Sequence, residues 1–510
     1  MTIGNFVSRN AALYPDREAL VFLEQRYSWK QLNSRVNRLA DSFLALGLRK
    51  GDKVALWSEN HPACVEANYA LAKIGVVYFP VLSRLLPGEI AQLIDQSEAR
   101  VLIFQSEAAA ALAGVKAALP RVEKFIQIGG PASDFAEDYE EFLARGRDVE
   151  PEVEVGPDDL YIFLCTGGTT GLSKMAMLSH ANAMFAIFTT INSLHLTEKD
   201  AGIQVLPLFH VIINNCLNAL VAAGAKVVLE PRFDPVMFMR DMHREKVTAA
   251  MVVPPFLFNW IAAFPEAMAF DQSHVRLFAT AAATFPTDLK RAVAGHFPNA
   301  EIFYTYGLTE TSGGNAALLN PAMQFAKDGA IGVVNPVLNH RVVDQFGRDV
   351  GPGAVGELLL KGPSVIRGYY KRPEETAATF KDGWLHTGDL VRRDEDGFLF
   401  FVDRAKEMIK TGGENVFAKE VEDAILTNKK VQEVGVFGLP DEKWGEKIHA
   451  AVVLKPGESA VEAEIIAYAK ERLPGFKCPK TVFFLPALPR NPSGKVLKYK
   501  LKEKFLLVRD

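Results

Sequence analysis

The sequence predicts an α/β protein with a large N-terminal body of doubly wound parallel sheets and helices, followed by a small, mobile α+β domain. Apolar runs of four or five residues recur along the chain without alternation, and amphipathic segments lie between them. Such runs are typical of parallel strands that are covered on both faces. Beyond residue 402 the order of the elements changes, and this change indicates a second domain.

The first strong helical signal starts at Trp29, where apolar residues return every three or four positions. This spacing predicts one buried stripe on a helix, made of Trp29, Leu32, Val36, Leu39, Phe43 and Leu46. The elements predicted next are a strand over 54–57, a helix from Pro62 to Gly75, a strand over 76–80, a helix from Pro87 and a strand over 101–104. The middle third continues with strands over 204–208, 226–229, 249–253 and 302–304.

The C-terminal part begins after an Asp-Arg-Ala-Lys segment, residues 403–406, which we predict to be a hinge. It separates a domain over 1–402 from a domain over 407–510. The second domain is predicted to contain strands over 434–438, 450–454 and 482–485, with helices near 418–427 and 461–472. About a hundred residues are enough for a small α+β domain.

Composition narrows the function classes. The 510 residues exceed the roughly 250 to 300 at which a single core stops growing, so several domains are expected. A formal net charge of −4 gives no broad attraction to phosphate backbones, and nucleic-acid binding is not expected. Lysines crowd the C-terminus at positions 495, 498, 500, 502 and 504, and all except Lys495 are predicted to form a solvated face.

The cysteines and the N-terminus predict a cytoplasmic protein. Cys64, Cys165, Cys216 and Cys478 are far apart and form no CxxC pair, so neither a disulfide framework nor a zinc site is indicated. Residues 1–18 lack a basic flank followed by an apolar core, and polar residues or prolines interrupt the apolar stretches. We therefore expect neither secretion nor a membrane span.

The segment that indicates chemistry most clearly is a loop after the apolar run 160–164. Glycines allow backbone N–H groups to converge on an anion, and hydroxyls and a lysine add donors, so the loop suits a polyphosphate. The loop reads Thr166, Gly167, Gly168, Thr169, Thr170, Gly171, Leu172, Ser173 and Lys174. It is not a Walker loop, since Lys174 lies three positions after Gly171, and it does not match GxGxxG.

Several further motifs follow this loop in a fixed order. They are Ser179 to Asn182, Pro207 to His210, Tyr306 to Glu310, Thr387 to Asp389, Asp403 to Lys406, Lys410 to Asn415 and Pro489 to Lys495. With them the sequence resembles the adenylate-forming superfamily, which contains acyl-CoA synthetases, adenylation domains of peptide synthetases and beetle luciferases. Within it, the segment from Asp441 to Glu446 and the loop from Gly412 to Asn415 most resemble those of fatty-acyl and feruloyl-type CoA ligases.

The resemblance implies an ATP-dependent acyl-CoA synthetase that forms acyl-AMP and pyrophosphate, and then the CoA thioester and AMP. Its substrates would be a small carboxylic acid, ATP with Mg²⁺, and coenzyme A. Whether the protein forms a homodimer is left open by the sequence. Departures from the family pattern are Gly167 for Ser, Ser173 for Pro, Met175 for Gly, Ile213 for Gly, and the alanine-rich segment 280–284 at the adenine site.

The resemblance also implies residue roles. Contacts with ATP or AMP are expected from Thr166, Gly167, Gly168, Thr169, Thr170, Gly171, Lys174, Ala282, Ala283, Tyr306, Gly307, Thr309, Asp389 and Arg404. Glu310, with Thr166, would hold Mg²⁺, a cation that prefers oxygen ligands beside phosphates. Tyr306 would pack on the adenine and Thr309 would contact the α-phosphate, while Asp389 would accept both ribose hydroxyls with Arg404 supporting it.

In the same way, Lys495 would bridge the substrate carboxylate and the α-phosphate during adenylation. The segment with Lys410 would replace it for the thioester step, and Gly412 and Gly413 would contact CoA. Rotation would occur about Lys406. The acyl pocket is expected to be bordered by His210, Ile213, Asn214 and Ala281.

One observation restricts the class of acid that the protein is expected to bind. No acidic residue lies between Gln204 and Val228, so a buried substrate ammonium would have no partner there. This favours a plain fatty or aryl carboxylic acid over an amino acid. Three alternatives remain: a ligase that loads a carrier protein, an inactive family member that acts as a binding module, and a luciferase-like oxidase.

Overall fold

The computed structural model describes residues 2–166, 173–251, 255–283, 285–490 and 496–506, with the backbone alone at 255, 256, 314 and 315. The described chain forms two compact units. Unit 1 contains residues up to 339 together with 360–385, and unit 2 contains residues 340–359 and 386–506. The predicted hinge, residues 403–406, lies inside unit 2.

The strands are β1 (Glu18–Phe22), β2 (Gln25–Ser28), β3 (Lys53–Trp57), β4 (Val77–Pro80), β5 (Val101–Gln105), β6 (Lys124–Ile128), β7 (Glu137–Asp138), β8 (Leu160–Thr166), β9 (Lys174–Ser179), β10 (Ala201–Gln204), β11 (Lys226–Leu229), β12 (Ala249–Met251), β13 (Leu277–Ala281), β14 (Glu301–Leu308), β15 (Gly313–Leu319), β16 (Ala330–Val334), β17 (Asn339–Val343), β18 (Val355–Lys361), β19 (Phe380–Lys381), β20 (Trp384–Arg393), β21 (Leu399–Arg404), β22 (Ile409–Thr411), β23 (Glu414–Val416), β24 (Val431–Asp441), β25 (Gly445–Leu454) and β26 (Thr481–Phe484).

The helices are α1 (Asn5–Leu13), α2 (Trp29–Ala45), α3 (Pro62–Ile74), α4 (Pro87–Ser97), α5 (Ala109–Val115), α6 (Tyr139–Ala144), α7 (His180–Leu194), α8 (Ala219–Ala223), α9 (Pro235–Arg244), α10 (Pro255–Ala262), α11 (Pro265–Met268), α12 (Thr287–His296), α13 (Pro373–Thr379), α14 (Ala418–Leu426), α15 (Glu462–Lys470) and α16 (Lys498–Leu506). A π-helix over Asn214–Asn218 precedes α8. None of the helices in the described ranges is both long and apolar enough to cross a membrane.

Unit 1 is built on two mostly parallel sheets. One has the strand order β7-β6-β5-β3-β4-β8-β9, and in the other β14-β13-β12-β10-β11-β1 run parallel. Alternate residues of β3 enter different cores: Val54 and Leu56 pack in one, and Ala55 and Trp57 in the other. Both faces are therefore covered, and the predicted α/β class with doubly wound sheets is confirmed.

Unit 2 contains a smaller antiparallel arrangement. Its strands β24 and β25 form a long hairpin, with β22 and β23 on one side and β26 parallel to β25. Helices α14 and α15 pack on this sheet around Val421, Ile425 and Ile465. The smaller α+β domain predicted for the C-terminus is present.

Two local predictions are wrong. Helix α2 ends at Ala45, and Leu46 is exposed instead of closing the buried stripe. The strand expected over 204–208 lies earlier, as β10, and stops at Gln204. Beyond it the Asn60 side-chain amide, rather than a strand, donates to the carbonyls of Val205 and Leu206, and Pro207 has no N–H for a ladder.

Candidate active site

The predicted phosphate loop joins two antiparallel strands. Thr166 is the last residue of β8, and it pairs with Lys174, the first residue of β9. Residues 167–171 lie outside the described residues, so their phosphate contacts stay a prediction. The hairpin places the Thr166 and Lys174 positions opposite each other at the end from which the loop leaves.

Glu310 lies in a short 3₁₀ turn, Thr309–Thr311, which follows β14 and contacts β8. The turn is closed by the Thr311 hydroxyl, which accepts the backbone N–H of Leu308 at 3.0 Å. Tyr306, Thr309 and Glu310 are half-buried. Gly307 is exposed. The structure thus brings the predicted metal-binding carboxylate next to the strand that carries Thr166.

One residue of this site was missed by the sequence reasoning. The Tyr369 hydroxyl donates to Oε1 of Glu310 at 2.6 Å, and the Lys174 ammonium lies 4.9 Å from the centroid of the same ring. Burial, followed by the nearby Glu310 carboxylate, raises the pKa of Tyr369. The hydroxyl therefore stays a hydrogen-bond donor at neutral pH.

The segment predicted to border the acyl group follows β10. His210 lies in a turn, where its N–H donates to the Pro207 carbonyl at 3.1 Å, and burial lowers its pKa. Ile213 and Asn214 have no exposed surface. The Asn214 side-chain amide donates to the Ser312 carbonyl at 3.1 Å. Asn214 thus links this segment to the Glu310 turn, and its role in an acyl pocket stays a prediction.

The alanine-rich adenine-site segment begins at Ala281, the last residue of β13. Ala282 has a φ of +70°, in the left-handed region that an alanine rarely adopts. The Tyr304 hydroxyl donates to the Ala283 carbonyl at 2.9 Å. The backbone therefore keeps a conformation suited to glycine although glycine is absent.

Unit 2 contains the predicted ribose clamp. Asp389 is fully buried in β20, and Nε of Arg404, on β21, lies 2.6 Å from its Oδ1. The Thr-Gly-Asp backbone is also fixed by Glu357, whose Oε1 accepts the Gly388 N–H at 3.0 Å. Arg404 thus contacts Asp389, and the role of the pair at the ribose stays a prediction, whereas the contact of Glu357 was not anticipated.

The predicted CoA segment is a tight hairpin between β22 and β23. Gly412 and Gly413 have φ values of +62° and +84°, which a two-residue type I′ turn requires. The Gly412 N–H donates to the Trp444 carbonyl at 2.8 Å, and the exposed Lys410 donates its N–H to Oε2 of Glu446 at 2.8 Å. Lys495 lies outside the described residues.

The segment around the predicted hinge contacts α16. We predicted that Lys498 belongs to a solvated face, and this prediction is wrong. Its ammonium lies 2.8 Å from Glu422 and 3.1 Å from Glu407. Burial acts against the charge, but the surrounding carboxylates outweigh it and raise the pKa of Lys498. Burial raises the pKa of Asp403 in the same cluster. Lys500 and Lys504 are exposed, as predicted.

A buried carboxyl lies two residues beyond the segment that contains no acidic residue. Glu230 follows β11 and is 1% exposed, and neither of its carboxyl oxygens has a hydrogen-bond partner in the described part of the chain. Burial, with a smaller contribution from Asp241, raises its pKa to about 9. At neutral pH Glu230 is therefore protonated and gives no counter-charge to a substrate amine.

The proton on Glu230 makes the free energy of unfolding depend on pH. Because the pKa of Glu230 is raised from 4.5 to about 9, between these values the folded state holds a proton that the unfolded state has lost. The free energy of unfolding should therefore fall by about 1.4 kcal/mol per pH unit over this range. We expect Glu230→Gln to remove that slope in denaturant unfolding measured at about pH 6, 7 and 8. Glu266→Gln, at an exposed position, is the control, and an unchanged slope in Glu230→Gln would contradict the assignment.

Comparison with known proteins agrees with this arrangement. The family model of the AMP-binding enzymes matches residues 7–370, and that of the AMP-binding enzyme C-terminal domain matches residues 420–495. The chain belongs to the AMP-binding enzyme family, and the resemblance predicted from its motifs is confirmed.

Several CoA ligases and CoA synthetases are similar to this chain over nearly their whole length. Feruloyl-CoA synthase of an Amycolatopsis species is 33% identical, over 99% of both chains. A fatty acyl CoA synthetase of Mycobacterium tuberculosis has a similar structure, with a TM-score of 0.80 and 32% identity over 99% of both chains. O-succinylbenzoate coenzyme A synthetase of Bacillus subtilis, solved with ATP and a magnesium ion, has a TM-score of 0.86 at 28% identity, over 98% of this chain and 99% of that one.

Proposed function

We propose that this chain activates an uncharged fatty or aryl carboxylic acid as its acyl-AMP and then transfers the acyl group to coenzyme A. The reaction class, an AMP-forming acid–thiol ligase, was predicted from the motifs and is confirmed by the family model and the full-length relatives. Its substrates are ATP with Mg²⁺, a small carboxylic acid and coenzyme A. The identity of the acid and the roles of individual residues are proposals.

The observation that supports these roles best is the group formed by Glu310, Tyr369 and Lys174. A carboxylate, held by a tyrosine, lies on a turn beside the strand that ends in Thr166, and a lysine lies over the same tyrosine. Glu310 and Thr166 offer the oxygen ligands that Mg²⁺ prefers beside phosphates. The ion, when bound, would offset the negative charge of the triphosphate.

The protein's own groups would carry the remaining steps. Lys174 would add positive charge at the phosphate loop, and Asp389, fixed by Arg404, would accept hydrogen bonds from the ribose. Lys495 would stabilise the charge that develops while the acid attacks the α-phosphate. We propose that the domain over 407–510 then turns about residues 403–406, so that the segment with Lys410, Gly412 and Gly413 serves the thioester step.

An uncharged acid is favoured by the charges near the acyl segment. No acidic residue lies between Gln204 and Val228. The lowered pKa of His210 leaves its imidazole neutral at pH 7, and the raised pKa of Glu230 leaves its carboxyl neutral. A substrate ammonium would have to give up its hydration for groups that carry no opposite charge.

This proposal predicts the outcome of a substrate screen. With ATP, Mg²⁺ and CoA, thioester formation should be fastest with fatty or aryl acids, and amino acids of similar size should be slower by at least about tenfold, a difference of about 1.4 kcal/mol. Matched pairs, such as a phenylpropanoic acid with and without an α-amino group, isolate the charge. An amino acid with the highest kcat/KM would contradict the proposal.

The alternatives differ in the acceptor and in activity. A carrier-protein ligase would transfer the acyl group to a phosphopantetheinyl carrier and leave free CoA unused. An inactive binding module would show no ATP–pyrophosphate exchange with any acid. A luciferase-like oxidase would emit light, and no observation on this chain favours that reaction.

For the location we propose the cytoplasm. Cys64, Cys165, Cys216 and Cys478 are all buried thiols without a disulfide. Burial raises the pKa of Cys64 to about 11 and that of Cys165 to about 12. Unreactive thiols of this kind fit a reducing compartment.

A further inference from the structure

We infer that Tyr369 is a positioning residue of the nucleotide site, which fixes the Glu310 carboxylate for Mg²⁺ and orders Lys174 beside it. The inference rests on the proposed role of Glu310 as a metal ligand. It adds a residue that lies outside every motif recognised in the sequence and that acts through two residues the motifs do contain.

Tyr369 holds the Glu310 carboxylate in place. Tyr369 is 5% exposed, and its hydroxyl donates to Oε1 of Glu310 at 2.6 Å. The backbone of Glu310 is held as well, because its carbonyl accepts the Ile366 N–H at 3.0 Å. With Oε1 engaged by Tyr369, the carboxyl group cannot rotate freely, and we assign the contact with the cation to Oε2. A ligand fixed before binding loses less entropy when the metal arrives.

The face of the Tyr369 ring contacts Lys174. The Lys174 ammonium lies 4.9 Å from the ring centroid, within the range of a cation–π contact. One side chain therefore contacts the cation through its face and the anion through its hydroxyl.

The backbone around Tyr369 is paired with the strand that begins at Lys174. Residues 368–370 run antiparallel to β9: the Met177 N–H donates to the Gly368 carbonyl at 3.0 Å, and the Tyr370 N–H donates to the Met175 carbonyl at 2.8 Å. Gly368 is required there, since a Cβ would lie 2.4 Å from Cγ2 of Thr376. Tyr369 and Lys174 thus belong to one paired unit.

The test compares two neighbouring tyrosines. Tyr369→Phe removes only the hydroxyl and keeps the ring under Lys174. Tyr370→Phe is the matched control, because the Tyr370 hydroxyl also donates to a carboxylate, Oε2 of Glu98 at 2.5 Å, at a place away from the Glu310 turn. Binding is followed without turnover, as the rise in melting temperature that Mg²⁺ produces with the α,β-methylene analogue of ATP.

We expect Tyr369→Phe to raise the Mg²⁺ concentration at the midpoint of this rise by about tenfold, as the loss of a hydrogen bond to a charged group implies. Tyr370→Phe should leave the midpoint unchanged. In a Glu310→Gln background, Tyr369→Phe should have no further effect, because both changes remove the same function. The KM for the acid should not change in either tyrosine variant.

The results separate the inference from the proposal on which it rests. If Glu310→Gln leaves the Mg²⁺ midpoint at the wild-type value, Glu310 is not the metal ligand and the proposed role fails. If Glu310→Gln shifts the midpoint while Tyr369→Phe behaves like Tyr370→Phe, the inference alone is overturned. If Tyr369→Phe melts too early to be titrated, Glu310→Asp is measured instead. Its shorter carboxylate cannot reach Tyr369 unless the ring moves. An unshifted Mg²⁺ midpoint in this variant overturns the inference.

Discussion

Lys495→Ala is expected to lower the rate of acid-dependent ATP–pyrophosphate exchange by about two to three orders of magnitude, the usual effect of removing one aimed charge from a transition state. Lys495 is the last residue of an Asn-Pro-Ser-Gly-Lys segment. In the proposed mechanism its charge acts only while the acid attacks the α-phosphate. Conversion of supplied acyl-AMP and CoA to the thioester should therefore survive.

The control for this variant is Lys500→Ala, an exposed lysine on α16 in the same basic tail. It removes the same charge five residues away and should leave both half-reactions at the wild-type rate. Equal loss of exchange in the two variants would mean that the tail acts through its total charge. Full exchange in Lys495→Ala would remove Lys495 from the mechanism.

Lys406→Pro should have the opposite effect and lower thioester formation by at least about tenfold, or about 1.4 kcal/mol of barrier. Residues 404–407 form a turn in which the Glu407 N–H donates to the Arg404 carbonyl at 2.9 Å, and Lys406 is the third residue. Proline fixes φ at this point and restricts the preceding residue, so the proposed rotation should be hindered. Pyrophosphate release in a single turnover should persist.

Lys406→Ala separates the backbone from the side chain. It removes the ammonium but leaves φ unrestricted, so it should retain thioester formation if the position serves as a pivot. Both variants need a melting curve, because proline disfavours the helical backbone conformation at the residue before it, here Ala405 within this turn. Loss of both half-reactions to the same degree in Lys406→Pro, with a normal melting curve, would rule out alternation about Lys406.

Much of the fold could be predicted because local signals agree with packing. Helix α2 starts at a capping box in which Ser28 and Gln31 bond reciprocally, and its apolar stripe from Trp29 to Phe43 is buried. Helix α3 stops at Gly75, whose φ of +68° suits glycine. The end of β10 and the ion pairing of Lys498 could not be predicted, since they depend on partners distant in sequence. These partners are Asn60 in the first case and Glu422 in the second.

The candidate site shows the same division. Motifs predicted Thr166, Lys174 and Glu310, and the structure places them on a hairpin and a turn that touch. The residue that connects them could not be predicted, because Tyr369 lies 59 positions from Glu310 and has no neighbouring pattern of its own. A buried Glu230 could have been suspected only as a carboxyl directly after an apolar strand, and sequence gives no measure of its burial.

The measurement that tests the central claim most directly is product analysis after incubation with ATP, Mg²⁺, a panel of fatty and aryl acids, and either free CoA or a phosphopantetheinyl carrier protein. We expect pyrophosphate and AMP in equal amounts, with an acyl-CoA thioester formed from free CoA. Release of ADP and phosphate, or thioester on the carrier with free CoA left unused, would contradict it.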